Sequence, residues 1–230
     1  MTELWEAIKE AVHLIVSLDG EVLDIAWRSL RIALTSCAIS ALLCLPLGGL
    51  IHFREFRGKR LLTTMIQTLF SFPTVSIGLL VYIIFSRAGP LGFFEIFLTP
   101  TAVVIGQIIL VSPIMLGLII SALSGIDKSV PETAVSLGAN TYQMVVAVIR
   151  EARFAIIAAM IMGFGRAIAE VGISNMVGGN FAGYTRTLPT AMMLEVQQGN
   201  SEMALALGFI LVGIALVINI ALYRLQYRKR

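Results

Sequence analysis

Long runs of apolar residues, not short alternations, set the pattern of this chain. A helix needs about 20 apolar residues to cross the hydrocarbon of a bilayer. Five stretches reach that length: 26–51, 61–86, a segment within 96–126, 154–173 and 203–223. The second and third contain no charged residue, and the fourth is interrupted only by Arg166 and Glu170. A different period marks residues 3–19. There Leu4, Ala7, Ile8, Ala11, Val12, Ile15 and Val16 recur at helical spacing among Glu3, Glu6, Lys9, Glu10 and Asp19. That spacing predicts an amphipathic helix over 1–20, lying in the membrane interface. It lacks the basic start and short apolar core of a secretory signal. Pro46, Pro73 and Pro113 fall inside spans, and each is expected to kink or open its helix.

The connection 124–153 is too polar for lipid and too apolar for a mere linker. Ser129 is a candidate cap, Pro131 suits the first turn and Glu132 suits the positive end, which predicts a short helix. Gly138 and Ala139 leave a small, flat surface. Such a face can be packed closely by a second protein, or it can rest on headgroups. The predicted fold is an all-α integral membrane protein of one domain, 1–230. It comprises five transmembrane helices, an external amphipathic helix over 1–20 and a short cytoplasmic helix within the 124–153 loop. No fixed-period repeat is present.

Composition narrows the class. Hydrophobic residues make up 57% and charged residues 13% of 230, against about 25% charged in an average soluble domain. This excludes a soluble enzyme, a disordered chain and a disulfide scaffold. Cys37 and Cys44 are seven apart on one helix face, too far along the axis to bridge. The net charge of +3 matters through its placement. Eleven Lys/Arg fall in the first connection, the 124–153 connection and the tail, against four on the other side. The positive-inside rule then puts the N-terminus outside and the C-terminus in the cytoplasm. The basic charge serves topology, so no nucleic acid is expected as partner.

No catalytic constellation appears. There is no GxxxxGK[ST] phosphate loop, and His13 and His52 belong to no metal-ligand spacing. Ser76, Ser112 and Ser121 lie in spans with no histidine at their depth. Arg166 and Glu170 are one helical turn apart in an apolar span, where an unpaired charge costs several kcal/mol. As a pair they either line a path that rearranges between states or statically fix helix packing. The segment 174–200 leaves the membrane outside and is rich in Gly, Asn and Thr. Its backbone N–H groups can offer a site to an anion, or the segment can dock a partner. Gln107 and Asn219 are expected to make interhelical hydrogen bonds.

Two resemblances bear on function. Glu132-Thr133-Ala134, followed after three residues by Gly138, resembles the EAA loop of ABC-type importer permeases, and it stands two spans before the C-terminus as in that family. The sequence departs at Thr133, where alanine is usual. Val148-Ile149-Arg150-Glu151 stands where the family has Ile-x-Leu-Pro. The resemblance implies a coupling helix docking on an ATPase subunit through Pro131, Glu132, Thr133, Ala134, Leu137, Gly138 and Ala139. The second covers Gly165-Arg166, Ala169-Glu170-Val171-Gly172, Met176-Val177-Gly178-Gly179-Asn180, Gly183, Thr185 and Thr187-Leu188-Pro189. It is similar to the oxyanion branch of these permeases, most of all to tungstate-type members.

The implied protein is a type I ABC importer transmembrane subunit of a prokaryotic cytoplasmic membrane, moving tungstate or molybdate inward by alternating access. Sulfate, phosphate or an amino acid is the alternative cargo, and a non-transporting anchor or assembly protein the alternative class. Candidate path or gate residues are Arg166, Glu170, Ser174, Asn175, Asn180, Thr185, Arg186 and Thr187. The implied partners are a second copy of the chain, two ATPase subunits and an extracytoplasmic oxyanion-binding protein. The chain itself is expected to bind no cofactor, with ATP and Mg held by the ATPase, and to be no enzyme.

Overall fold

The computed structural model describes residues 20–227, together with Trp5, Glu6, Ile8, Lys9, Val12 and His13. Within the last helix, the side chains of 222, 223 and 225–227 lie outside that description. Those six early residues are helical, with Lys9 Nζ donating to Glu6 at 3.0 Å. The rest of the amphipathic segment predicted over 1–20, and the basic tail 228–230, lie outside the described residues.

The described chain is helical, with no strand among the described residues. Helix α1 spans Gly20–Phe53, α2 Lys59–Thr68 and α3 Thr74–Phe85. Helix α4 spans Pro100–Ser124, α5 Ser129–Ser136 and α6 Thr141–Glu151. Then come α7 (Arg153–Ile168), α8 (Gly172–Gly178), α9 (Leu188–Gln197) and α10 (Ser201–Tyr227). Helices α1, α4 and α10 are each long and apolar enough to cross a membrane. The other two predicted spans are broken. A single 3-10 turn, Leu69–Ser71, ends α2 before Pro73, and the run bends by 98° into α3. The fourth bends by 55° between α7 and α8.

The chain breaks at Pro73, whereas Pro46 and Pro113 do not open their helices. Pro46 and Pro113 sit inside α1 and α4, which continue through them. Small residues explain why. Ser36, Ser40, Cys44 and Gly48 recur every four positions and are buried on one face of α1. Ser112 Oγ donates to Ser40 Oγ at 3.2 Å, and Cys44 Sγ donates to the Ser112 carbonyl at 3.3 Å. A Cβ on Gly48 would lie 2.7 Å from Ile119 Cγ2. Close backbone approach across a small-residue seam is how helices pack when lipid removes the hydrophobic drive. This α1–α4 seam joins the two proline-bearing helices, neither of which is interrupted at its proline. Around it, Ala33, Val111, Met115, Ile119, Ile156 and Phe164 form the main core.

A second contact places α8. Ile173 is fully buried, and its Cγ2 lies 2.3 Å from where a Cβ on Gly106 would stand. Gly78 and Gly178 are equally tight, against Met176 and Val103. Three glycines on three helices therefore let α8 wedge among α3 and α4. Outward faces of α1 and α10 expose Leu42, Leu47, Leu50, Val212, Leu216 and Val217. An apolar belt of that size requires a bilayer or a partner to cover it.

Candidate functional site

Two places carry unusual chemistry: the short helix between α4 and α7, and the break between α7 and α8. At the first, α5 starts at Ser129, but Ser129 does not cap it. Asp127 Oδ1 accepts from the Ser129 N–H at 2.7 Å instead. Hydrogen bonds from the Ser129 backbone and hydroxyl hold the Asp127 carboxyl below the usual carboxylate range. The helix ends at Ser136. Ala139 N–H then donates to the Ala134 carbonyl at 3.0 Å and Gly138 N–H to the Val135 carbonyl at 2.9 Å. Those two bonds form a Schellman motif. It requires a left-handed residue, and Gly138 has φ +82°. The glycine thus fixes how the helix stops, besides leaving a small surface. Asn140 restarts the chain with a capping box to Gln143 and opens α6.

The segment presents an open face. No residue of α5 is buried. Pro131, Ala134 and Ala139 are half-buried, whereas Glu132, Thr133 and Gly138 are exposed. Leu137 is 83% exposed, and Val135 and Tyr142 flank it on the surface. An apolar tip held between two capped helices is built for contact.

At the second place, α7 stops at Ile168 and α8 starts at Gly172. Glu170 lies between them and is only 2% exposed. Its Oε2 accepts from Arg166 Nη1 at 2.8 Å, and its Oε1 accepts from the Ile173 N–H at 3.0 Å. The Arg166 side chain is 36% exposed. One carboxylate therefore neutralises a cation and caps the first turn of α8, where negative charge is favoured. Ser174 Oγ donates to the Glu170 carbonyl at 3.2 Å. Gln107, from α4, donates Nε2 at 3.1 Å to the Ala167 carbonyl, which also accepts from the Glu170 N–H at 3.2 Å; this is the interhelical bond expected of Gln107. Its Oε1 is buried without a partner.

Of the remaining candidate residues, Asn175 lies in α8 and the others build the connection between α8 and α9. Asn175 is exposed. Asn180 adopts φ +52° and donates Nδ2 to the Thr190 carbonyl at 3.3 Å. Thr185 is fully buried. Its hydroxyl donates to the Gly178 carbonyl at 2.6 Å and accepts from the Phe181 N–H at 2.9 Å. Thr187 N–H donates to Thr190 Oγ1 at 2.9 Å. These N–H groups are taken up within the loop rather than offered to an anion. Arg186 lies 3.6 Å from Glu21, with Nε buried and unpaired.

Sequence reading missed what holds this loop. Arg28 is 5% exposed, paired with Asp24 one turn before it, and its Nη1 donates to the Arg186 carbonyl at 3.0 Å. Ser29 Oγ accepts from the Leu188 N–H at 2.7 Å. This loop and α9 are thereby tied to α1. The signal was the Asp24–Arg28 spacing at the start of an apolar helix.

The chain matches the binding-protein-dependent transport system inner membrane component family over residues 44–230. It is 38% identical to the tungstate uptake system permease protein of Peptoclostridium acidaminophilum over 226 residues, covering 98% of this chain and 99% of the relative. It is 33% identical to the tungstate uptake system permease protein of Campylobacter jejuni, covering 97% and 93% respectively. Among solved structures, a bacterial alginate ABC transporter superposes with TM-score 0.76 at 18% identity, over 99% of this chain and 87% of that one. That likeness shows a shared fold.

Proposed function

The chain belongs to the binding-protein-dependent transport system inner membrane component family, and from that membership we propose that it carries tungstate, or the equally tetrahedral molybdate, into the cytoplasm by ATP-driven alternating access. It is a multi-pass inner-membrane permease subunit of an ABC importer of the oxyanion branch. It is not the subunit that hydrolyses ATP.

The observation that carries the mechanism is the exposed tip at Val135 and Leu137, fixed by the left-handed turn at Gly138. A motor pushes effectively only on a lever with fixed ends, and hydrogen bonds hold this helix at Asp127 and at the Gly138 turn. In the proposed cycle two ATPase subunits, holding ATP and Mg, close and draw two copies of α5 together. Two copies of the chain enclose the path on a twofold axis, with N-termini outside and C-termini in the cytoplasm. The Arg166–Glu170 junction changes state as the path reverses. An external binding protein delivers the anion near the loop anchored by Arg28, Thr185 and Thr187. Full-length similarity to two tungstate permeases supports the cargo.

Uptake of labelled tungstate by the complete importer in proteoliposomes tests the cargo. Molybdate is expected to compete within about tenfold of tungstate. Sulfate, smaller and short of about 3 kcal/mol of matched contacts, needs an excess of about 100-fold. Equal competition by sulfate assigns the importer to the sulfate alternative.

A further inference from the structure

The cytoplasmic end of α1 holds two adjoining cavities that the transport reading leaves unused. One, of about 820 Å³, gathers Lys59, Arg60 and Lys128, with Glu55 as its acidic member, among apolar lining that includes Phe56 and Leu123. The other, of about 520 Å³, is an apolar slot between α1 and α6, lined by Leu45, Pro46, Gly49, Val145 and Ile149, with Arg54 at its end. Phe53 lines both.

The basic cavity is arranged for an anion. Helix α2 opens into it at Lys59, behind Gly58 at φ +95°, and no side chain caps it. Two cations, Lys59 and Arg60, thus stand at the positive end of a helix, where they are unfavourable unless an anion joins them. Lys59 Nζ is shared between Glu55 at 2.8 Å and the His52 carbonyl at 2.8 Å. Arg60 and Lys128 remain exposed with no such partner in the cavity. The slot is arranged for hydrocarbon. A Cβ on the buried Gly49 would meet nothing within 4 Å, so unfilled space faces Val145 and Ile149.

We infer that this end of α1 binds one anionic phospholipid of the inner leaflet, its phosphate among Lys59, Arg60 and Lys128 and an acyl chain in the Gly49 slot. A free oxyanion fits the first cavity but has no use for the second. Basic pockets between membrane helices on the cytoplasmic side recognise anionic headgroups in this way. Lys128 and Pro131 at the foot of α5, and Val145 and Ile149 of α6, line the two cavities. The bound lipid therefore braces both flanks of the exposed tip. The inference rests on the cytoplasmic placement of this face and is independent of the cargo.

Native mass spectrometry of the delipidated full-length permease, titrated with phosphatidylglycerol or phosphatidylcholine, tests it. Phosphatidylglycerol is expected to bind at least about tenfold tighter. Lys59→Gln/Arg60→Gln/Lys128→Gln removes three cations, each worth about fivefold at an anionic headgroup, and weakens binding about 100-fold. Gly49→Leu leaves every charge in place and displaces about two methylenes, for about a tenfold loss. Millimolar inorganic phosphate or tungstate leaves the lipid bound. Equal affinity for the two lipids overturns the inference, as does unchanged binding in both variants. Displacement by inorganic phosphate with Gly49→Leu harmless also overturns it and assigns the basic cavity to a free anion.

Discussion

Gly138→Asp and Leu137→Asp each abolish the cargo-stimulated ATPase activity of the assembled importer, by at least about tenfold, while leaving the isolated ATPase subunit unchanged. Leu137 is the most exposed apolar side chain of the α5–α6 segment, and on the proposed coupling role a carboxylate there must be desolvated whenever the partner closes on it. Burying an unpaired charge costs several kcal/mol, far more than the about 1.4 kcal/mol that separates a tenfold change. Gly138 adds a conformational argument. At φ +82° a β-branched residue is strained by about 1–2 kcal/mol, whereas asparagine accepts the left-handed region. Gly138→Asn is therefore expected to retain most coupling and Gly138→Val to lose it, although a Cβ at this position meets nothing within 4 Å. A surface helix that merely rested on headgroups predicts normal stimulated activity in all four variants.

Glu170→Gln lowers transport by at least about tenfold with normal assembly. Glutamine still accepts from the Ile173 N–H but leaves Arg166 without its counter-charge. The Arg166 side chain is 36% exposed, so water takes up part of that loss and the fold survives. What changes is the relative stability of the inward and outward states, and about 1.4 kcal/mol of differential suffices for tenfold. The exchanged pair, Arg166→Glu/Glu170→Arg, separates the two functions of the carboxylate. It restores neutrality, but arginine cannot accept from Ile173 N–H, so transport is not recovered. A static pair predicts reduced thermal stability with full transport in Glu170→Gln, and recovery in the exchange.

The membrane-spanning runs were legible because uncharged stretches of more than 20 residues have no other stable home. The break at Pro73 was equally legible, since proline removes a donor and disfavours helix before it. Pro46 and Pro113 misled for the opposite reason. The seam of Ser36, Ser40, Cys44 and Gly48 against α4 keeps both helices continuous, and such tertiary packing is invisible to a single-residue rule. The second break carries no proline. Arg166 and Glu170 looked like a pair on one continuing helix, but the carboxylate turns to cap α8, and Gln107 reaches from α4 to the Ala167 carbonyl beside the break. Recognising that junction needed a contact between residues 60 apart in the chain. In the coupling segment, the helix and its glycine were readable, whereas the capping residue proved to be Asp127, two positions before the residue it caps. Arg28 escaped notice as a loop anchor because its acceptor, the Arg186 carbonyl, lies 158 residues away.

Transmission of force through the exposed tip is the central claim, and cysteine accessibility at that tip tests it most directly. In Leu137→Cys, maleimide labelling of the permease alone is expected to be fast. In the complete importer it slows at least about tenfold, and a short bifunctional reagent joins this position to the ATPase subunit. Labelling at the same rate with and without the ATPase, and no cross-link to it, contradicts the account.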